Sequence, residues 1–394
     1  MNLKNLLNKK RLKVIGLMSG TSANGIDACL VEIGEGKDGP ILHQLGFKPG
    51  RFLPFLQKKI LTVSDPSYQN IDEIIRLDFL LGEYFAIAAK KMVKACGLDL
   101  KDIDLIGSHG QTVRHLPLKR RMGSFNIRGS LQIGEPSVIS TRTGIITLAD
   151  FRRKDIALGG EGAPLTPLAH FYLFNHEKKT QVVLNIGGIS NLTFLPRGKN
   201  LAKVWGIDAG PGNILIDNLT RRYFQKPFDR EGRIAFKGKV IQPVLEQFLR
   251  NIFSLLKKKK SLGREDFDSK FTLNFIREIE KYSANPSDLV TTASELTVRS
   301  IRAVFETSSH PDSEVDEFIL CGGGALNRYL YTRLKETFYP ASVCSSNGLG
   351  YNPLAVESIS FALFAFLTFS QLLKGETDSN KFGGTKVLGK ICLP

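Results

Sequence analysis

Three small-residue runs hold the groups best suited to chemistry in this chain. In Val14 to Ile33, VIGLMSGTSANGIDACLVEI, the backbone N–H groups of Gly20, Thr21 and Ser22 and the hydroxyls of Ser19, Thr21 and Ser22 could offer donors to a phosphate-sized anion without any lysine. No Gly-Lys-Ser/Thr precedes a helix, which excludes a Walker A loop, and the same turn could simply close a hairpin. Gly206 to Asn213, GIDAGPGN, sets one carboxylate, Asp208, at the tip of a strand beside a Gly-Pro-Gly turn that opens a helix. Gly210, Gly212 and Asn213 then lie at a helix N-terminus, which favours an anion. Asp208 reads either as a general base facing that anion or as a turn former and N-cap. Cys321 to Asn327, CGGGALN, lets backbone at Gly322, Gly323, Gly324 and Asn327 approach a flat or phosphorylated ligand, or forms a plain tight turn.

Two polar clusters accompany these turns. Ser108 to Thr112 places His109, Gln111 and Thr112 together after a strand, a set suited to hydrogen bonding a polyhydroxylated substrate. Asp150 to Leu165 mixes charge and glycine without periodicity and reads as an irregular loop, either exposed filler or a substrate wall. Within it Arg152 could grip a carboxylate in bidentate fashion or form a surface salt bridge.

The elements that must position these groups follow a repeated grammar. Periodicity predicts strands near 12–19 and 26–33, a helix over 71–96 ended by Gly97, and a strand from Ile103 to Ser108. The second half begins alike, with a strand at Val182 to Ile186, a Gly187-Gly188 turn and a strand at Asn191 to Leu195. Helical segments near 240–256, 270–282 and 289–308 precede Phe318 to Leu320, which runs into the glycine turn. Such an echo predicts an α/β chain of two similar lobes with mixed sheets, turns from both lobes meeting at a shared ligand. The expected hinges lie near 130–150 and 370.

Bulk properties narrow the function classes. At 394 residues and 42% hydrophobic content, two cores are expected. The formal charge of +16 invites a nucleic-acid reading, but no aromatic-interleaved basic motif, zinc-binding or helix-turn-helix signature accompanies it. The dense run Lys257 to Lys260 reads as a solvated loop. Five widely spaced cysteines with no C-x-x-C pair point to a reducing compartment and no zinc site. The basic N-terminus lacks the apolar stretch of a secretory signal and leaves a short transit peptide open. Ile359 to Leu373 reads as a buried helix rather than a membrane span.

With these residues assembled, the chain resembles the anhydro-N-acetylmuramic acid kinases of the sugar kinase, actin and heat-shock ATPase superfamily. The resemblance rests on MSGTSANGID, SHGQTVRH, DFRRKDIALGGEGAPL, LNIGGISNLT, DAGPGN, KGKV, GRE, TTASELT, CGGGALN and a late Glu357. It implies two ribonuclease-H-like lobes around a nucleotide and substrate cleft, residues 1–135 with about 372–394 forming one and 136–371 the other. It also implies that ATP phosphorylates O6 of 1,6-anhydro-N-acetylmuramic acid while water opens the anhydro bridge at C1, in cell-wall recycling. Asp208 matches the family's proposed base. The loop from Gly20 to Asp27, including Asn24 and Gly25, would hold phosphates, and Gly322 to Gly324 would approach the nucleotide. Mg²⁺ would enter through ATP with no direct protein ligand. Arg152 and Glu357 match substrate contacts. The resemblance further implies a cytoplasmic protein with small-molecule partners, neither nucleic acid nor membrane, for which a homodimer would suit. Departures are Asn24 for the usual Asp, Ala209 for Thr, Glu161 for Gln, Glu135 for Asp and Leu262 for Thr. They leave two alternatives: a kinase of levoglucosan, or an ATP-binding paralogue with impaired catalysis.

Overall fold

The computed structural model describes residues 6, 9–20, 23–258, 262–308, 314–373 and 388–394. Thr21, Ser22, Lys259 and Lys260 lie outside the described residues.

Strands β1 (Arg11–Ser19), β2 (Asp27–Gly36) and β3 (Gly39–Lys48) open the chain. Helices α1 (Pro54–Val63) and α2 (Ile71–Ala95), strands β4 (Leu105–Met122) and β5 (Phe125–Ile133), helix α3 (Pro136–Thr143), strand β6 (Ile146–Ala149) and helices α4 (Phe151–Ala157) and α5 (Thr166–Phe174) follow. Strands β7 (Gln181–Ile186), β8 (Ile189–Leu195) and β9 (Trp205–Pro211) then lead into helices α6 (Ile214–Phe224), α7 (Gln242–Lys258), α8 (Ser269–Glu280) and α9 (Pro286–Ser308). The chain ends with β10 (Glu317–Cys321), α10 (Arg328–Thr337), β11 (Ser342–Ser345), α11 (Val356–Leu373) and β12 (Lys390–Cys392).

These elements form two compact units, Met1–Leu173 with Ala355–Pro394, and Phe174–Leu354. In the first unit β1 pairs antiparallel with β2 and parallel with β4, β2 pairs antiparallel with β3, and β4 pairs parallel with β6, giving the order β3-β2-β1-β4-β6. Strand β12 extends this sheet beside β6, and β5 folds back along β4. In the second unit the order is β9-β8-β7-β10-β11, with the same sequence of two antiparallel and two parallel pairings. The repeated grammar of the sequence is thus a repeated wiring, and the fold is α/β with two mixed sheets.

Helix α2 forms because Asn70 accepts the Glu73 N–H at 3.2 Å, Asp72 and Glu73 occupy its first turn, and Lys94 its last. Its apolar face, Leu77, Leu81, Phe85, Ala89 and Met92, packs on Ile15, Leu17, Leu30 and Ile106 of the first sheet. The alternate residues of β1 and β4 meet α11 instead. A Cβ at Gly16 or Gly107 would overlap the carbonyls of Ser358 and Phe361, so α11 rests directly on strand backbone. In the second unit α9 is buried along most of its length, and its hydroxyls close on backbone: Ser294 Oγ donates to Val290 O at 2.8 Å and Ser300 Oγ to Leu296 O at 2.6 Å.

Four expectations are corrected. Strand β4 does not stop at Ser108 but runs through His109–Thr112 to Met122, because β5 supplies an antiparallel partner. Residues 151–157 are a helix rather than irregular loop. Lys257 and Lys258 end α7 rather than beginning a loop. The chain divides after Leu173 and Leu354 rather than near 136 and 371. Strand pairing is the reason for the first shift of boundary: Ile146, Thr147 and Leu148 pair with Leu105, Ile106 and Gly107, which ties β6 to the first sheet. The packing of α11 on β1 and β4 is the reason for the second.

Candidate active site

In the first unit the candidate residues gather where β1, β4 and α11 meet. The loop after β1 is closed from within: the buried Ser19 hydroxyl is directed at Gln111 Oε1 (2.6 Å) and Gly25 O (2.8 Å), and Gln111 Nε2 donates to Gly20 O at 3.3 Å. Ser19 and Gln111 therefore shape the loop. The connection from β3 to α1 braces it outside, since Phe52 N–H donates to Asn24 O (2.8 Å) and Gly50 N–H to Asp27 Oδ1 (3.2 Å). A Cβ at Gly25 would overlap the Gly50 carbonyl, which is why the loop carries glycine there. Burial, with a further push from the Glu357 carboxylate, raises the Asp27 pKa to about 6.

His109, only 4% exposed, is enclosed rather than presented to solvent. Arg152 Nε–H donates to its Nε2 at 3.0 Å, which puts the ring proton on Nδ1, bonded to Gly110 O at 2.9 Å. Burial first, and the Arg152 charge second, lower its pKa to about 3, so the ring is neutral. Desolvation lowers Arg152 to about 10, while Glu357 acts in the opposite direction. Thr112 is half-buried and accepts from Gln132 Nε2 at 3.2 Å. The structure thus groups Asp27, Arg152 and Glu357, with His109 behind Arg152.

In the second unit Asp208 lies within β9, two residues before Gly210, at a β-bulge. Asn191 faces Asp208 and Ser190 faces Gly210, leaving Ala209 as the extra residue. Ala209 turns into the core, fully buried, while Asp208 stays half-buried and its Oδ2 accepts the Leu262 N–H at 2.8 Å. Among the described residues Asn213, not Asp208, stands at the N-cap of the helix that follows. The turn that follows is knitted to the β7–β8 turn, because Gly212 N–H donates to Gly188 O (2.9 Å), Asn213 N–H to Gly187 O (2.8 Å) and Asn213 Nδ2 to Ile186 O (3.0 Å). Those helix-terminal donors are spent on fixing the turn, which corrects their reading as open anion donors. Gly322, at φ +75°, approaches Asn185 and Ile186, and a Cβ on Gly324 would overlap Ile186, so the third turn joins the same cluster. Asn327 instead caps α10, accepting from Tyr329 N–H (3.0 Å) and Leu330 N–H (3.2 Å).

Space is open beside this cluster. A Cβ at Gly188 would meet nothing within 4 Å, one at Gly187 would come no nearer than 3.6 Å to Ile189 O, and one at Gly323 no nearer than 3.5 Å to Asn213 Nδ2. Bare backbone is therefore open at adjoining turns, with Asp208 one strand pairing away. Among the described residues no group of three or more His, Cys, Asp or Glu side chains is placed to hold a metal ion. Sequence reasoning gave no role to Gly50, Leu262 or Thr297, although Leu262 stood among the departures and Thr297 closes the TTASELT motif. Thr297 Oγ1 donates to Gly212 O at 2.9 Å, so TTASELT carried a signal, but the other two act through backbone N–H groups that no side-chain type announces.

The departures have local explanations. Glu135 caps α3, accepting Ser137 N–H at 2.8 Å, a task open to either acid. Glu161 faces Arg128 at 3.8 Å, an ion pair of partly exposed groups. Leu262 holds Asp208 by backbone alone, and Ala209 is core. Asn24 is exposed and accepts from Gln57 Nε2 at 2.9 Å.

Residues 12–392 match the family model described as anhydro-N-acetylmuramic acid kinase. The chain is 39% identical over 395 residues to the anhydro-N-acetylmuramic acid kinase of Caldanaerobacter subterraneus subsp. tengcongensis, covering 98% of each chain. It is 36% identical over 386 residues to the protein of that name from Bacillus cereus strain G9842, covering 97% of this chain and 99% of the relative. Among solved structures it aligns with the activator of the 2-hydroxyisocaproyl-CoA dehydratase from Clostridium difficile with bound ADPNP, at TM-score 0.47 and 11% identity, covering 92% of this chain and 98% of that one. With a family match that spans nearly the whole chain and relatives this similar over their full length, the chain belongs to the anhydro-N-acetylmuramic acid kinase family.

Proposed function

We propose that the protein transfers the γ-phosphoryl group of ATP to O6 of 1,6-anhydro-N-acetylmuramic acid as water opens the anhydro bridge, giving N-acetylmuramate 6-phosphate and ADP in peptidoglycan recycling. The observation that carries this reading is the end-to-end similarity to relatives of that name, 98% of each chain for the Caldanaerobacter protein. Asp208 is the base in this scheme. Its carboxylate, oriented by the Leu262 N–H, takes a proton from water while the water oxygen bonds to C1. The C1–O6 bond breaks, O6 attacks the γ-phosphorus, and the bond from that phosphorus to the β,γ-bridging oxygen of ATP breaks so that ADP leaves.

The open glycine turns of the second unit receive the nucleotide phosphates, and Arg152 and Glu357 contact the sugar. Mg²⁺, when bound with ATP, would screen the charge on the transferring group. Asp27 is the described carboxylate that suits a water-mediated hold on it, because a nearby cation would favour the ionised form that burial disfavours. None of the described helices is long and apolar enough to cross a membrane. The reaction is assigned to the cytoplasm because it consumes ATP.

The test is ADP release by the purified protein with ATP and Mg²⁺, comparing 1,6-anhydro-N-acetylmuramic acid, levoglucosan and no sugar. Release with the muramic sugar is expected. Release with levoglucosan alone would move the specificity, and none with either sugar would reject the kinase. Asp208→Asn should cost about a hundred- to ten-thousand-fold in kcat, with nucleotide affinity by calorimetry unchanged. Loss of both together would make Asp208 structural.

A further inference from the structure

Arg152 carries three N–H-bearing nitrogens, and the structure commits one of them. Nε–H is held by His109 Nε2 at 3.0 Å, and His109 is held in turn by its Nδ1–H on Gly110 O at 2.9 Å. The imidazole packs on Phe361 with ring centroids 4.6 Å apart, and Phe361 belongs to α11, the helix that also carries Glu357. Enclosed in this way and only 4% exposed, His109 offers a substrate almost no surface. The Arg152 Nη groups make no hydrogen bond to any described residue.

We propose that His109 is a positioning residue, whose neutral ring fixes the plane of the Arg152 guanidinium so that both Nη groups face the oxygen-rich sugar. The proposal deepens the reading of Arg152 as a substrate contact and rests on it. An acceptor is needed at Nε to set the plane of the fork, and a carboxylate there would also neutralise the cation that the substrate meets. A buried imidazole orients without sharing charge. Its pKa of about 3 keeps that arrangement unchanged across the working pH range. Gly110, whose carbonyl accepts the Nδ1–H, adjoins Gln111, so Arg152 is referenced to the same strand that closes the first loop.

The test compares His109→Phe, which keeps the packing and removes the acceptor, with His109→Gln, whose Oε1 can stand in for Nε2. His109→Phe should lower kcat/KM for the sugar by about tenfold to a hundredfold and leave the KM for ATP within about twofold, and His109→Gln should recover most of the loss. In an Arg152→Ala background His109→Phe should add less than about a further twofold. Multiplying losses in the double variant, or equal losses in both single variants with a matching rise in the KM for ATP, would overturn the proposal. A second readout needs no turnover: the ¹⁵N–¹H resonance of Arg152 Nε, assigned by its loss in Arg152→Ala, should be protected from exchange in wild type and His109→Gln and unprotected in His109→Phe. Protection retained in His109→Phe overturns the proposal, whereas an inactive wild type with the expected resonances overturns the sugar reading instead. Should the phenylalanine variant not fold, His109→Asn, too short to reach Arg152, takes its place.

Discussion

A buried carboxylate costs stability, and Asp27 states the cost. Its pKa rises from 3.8 to about 6, so the folded protein binds a proton there more tightly than the unfolded chain. Stability therefore falls as pH rises through the window from about 4 to 6, by about 3 kcal/mol in total. Asp27→Asn keeps an acceptor for the Gly50 N–H and removes the charge. It is expected to raise the urea midpoint at about pH 7.5, to lose that advantage below about pH 4, and to abolish sugar-dependent ADP release. An unchanged midpoint at the higher pH would mean that Asp27 is better solvated than its surroundings indicate. Residue types singled out Asp208 and Arg152, because charged groups among glycines are conspicuous in a sequence, whereas Asp27 entered only through the family resemblance. The distinction between a group that meets the ligand and one that holds such a group was not legible. His109 and Gln111 have the chemistry of substrate contacts, yet both are buried, Gln111 against the Ser19 hydroxyl and His109 against Arg152.

Elements reach the site through glycine. Helix α11 delivers Glu357 because Gly16 and Gly107 let it lie against the backbone of β1 and β4, with the Ser358 and Phe361 carbonyls where side chains would stand. Gly107→Ala must push α11 outward, and we expect about 1–3 kcal/mol of destabilisation with a raised KM for the sugar. Gly129 on β5 is the control, since a Cβ there meets nothing within 4 Å and its φ is unexceptional. Gly129→Ala should leave the unfolding midpoint and KM unchanged, and equal effects of the two variants would show that α11 has room to spare. Periodicity located α2 to within a residue at each end, because a long, capped amphipathic helix repeats its signal at every turn. The same periodicity ends the strand at Ser108, short of the observed β4. Its outer half, from Arg114 to Met122, is largely exposed and basic, and only pairing with β5 makes it a strand. Helix α4 was missed because seven residues with one buried side chain give no period to read.

At the scale of the chain, the duplication was legible because each half repeats a strand, a small-residue turn and a strand, and turns are where sequence and backbone geometry constrain one another most closely. The division between halves was not, since β6 and α11 join the first sheet by pairing and packing that are remote in sequence. The net charge belongs to this scale too. A formal +16 on 394 residues has no motif to concentrate it, so its effect is on encounter rather than on any one contact. Both proposed substrates are anions, ATP through its phosphates and the muramic sugar through its lactyl carboxylate. Screening shortens from about 30 Å at 0.01 M salt to about 10 Å at 0.1 M. We therefore expect kcat/KM for both to fall about tenfold over that range while kcat holds steady. Levoglucosan, which is neutral, supplies the internal contrast: any turnover of it should keep its own kcat/KM when ATP is saturating. A flat profile for the muramic sugar would mean that the cations are paired or dispersed beyond steering. Salt-dependent retention on duplex DNA in place of a kinetic effect would return the charge to the nucleic-acid reading that the motifs argue against.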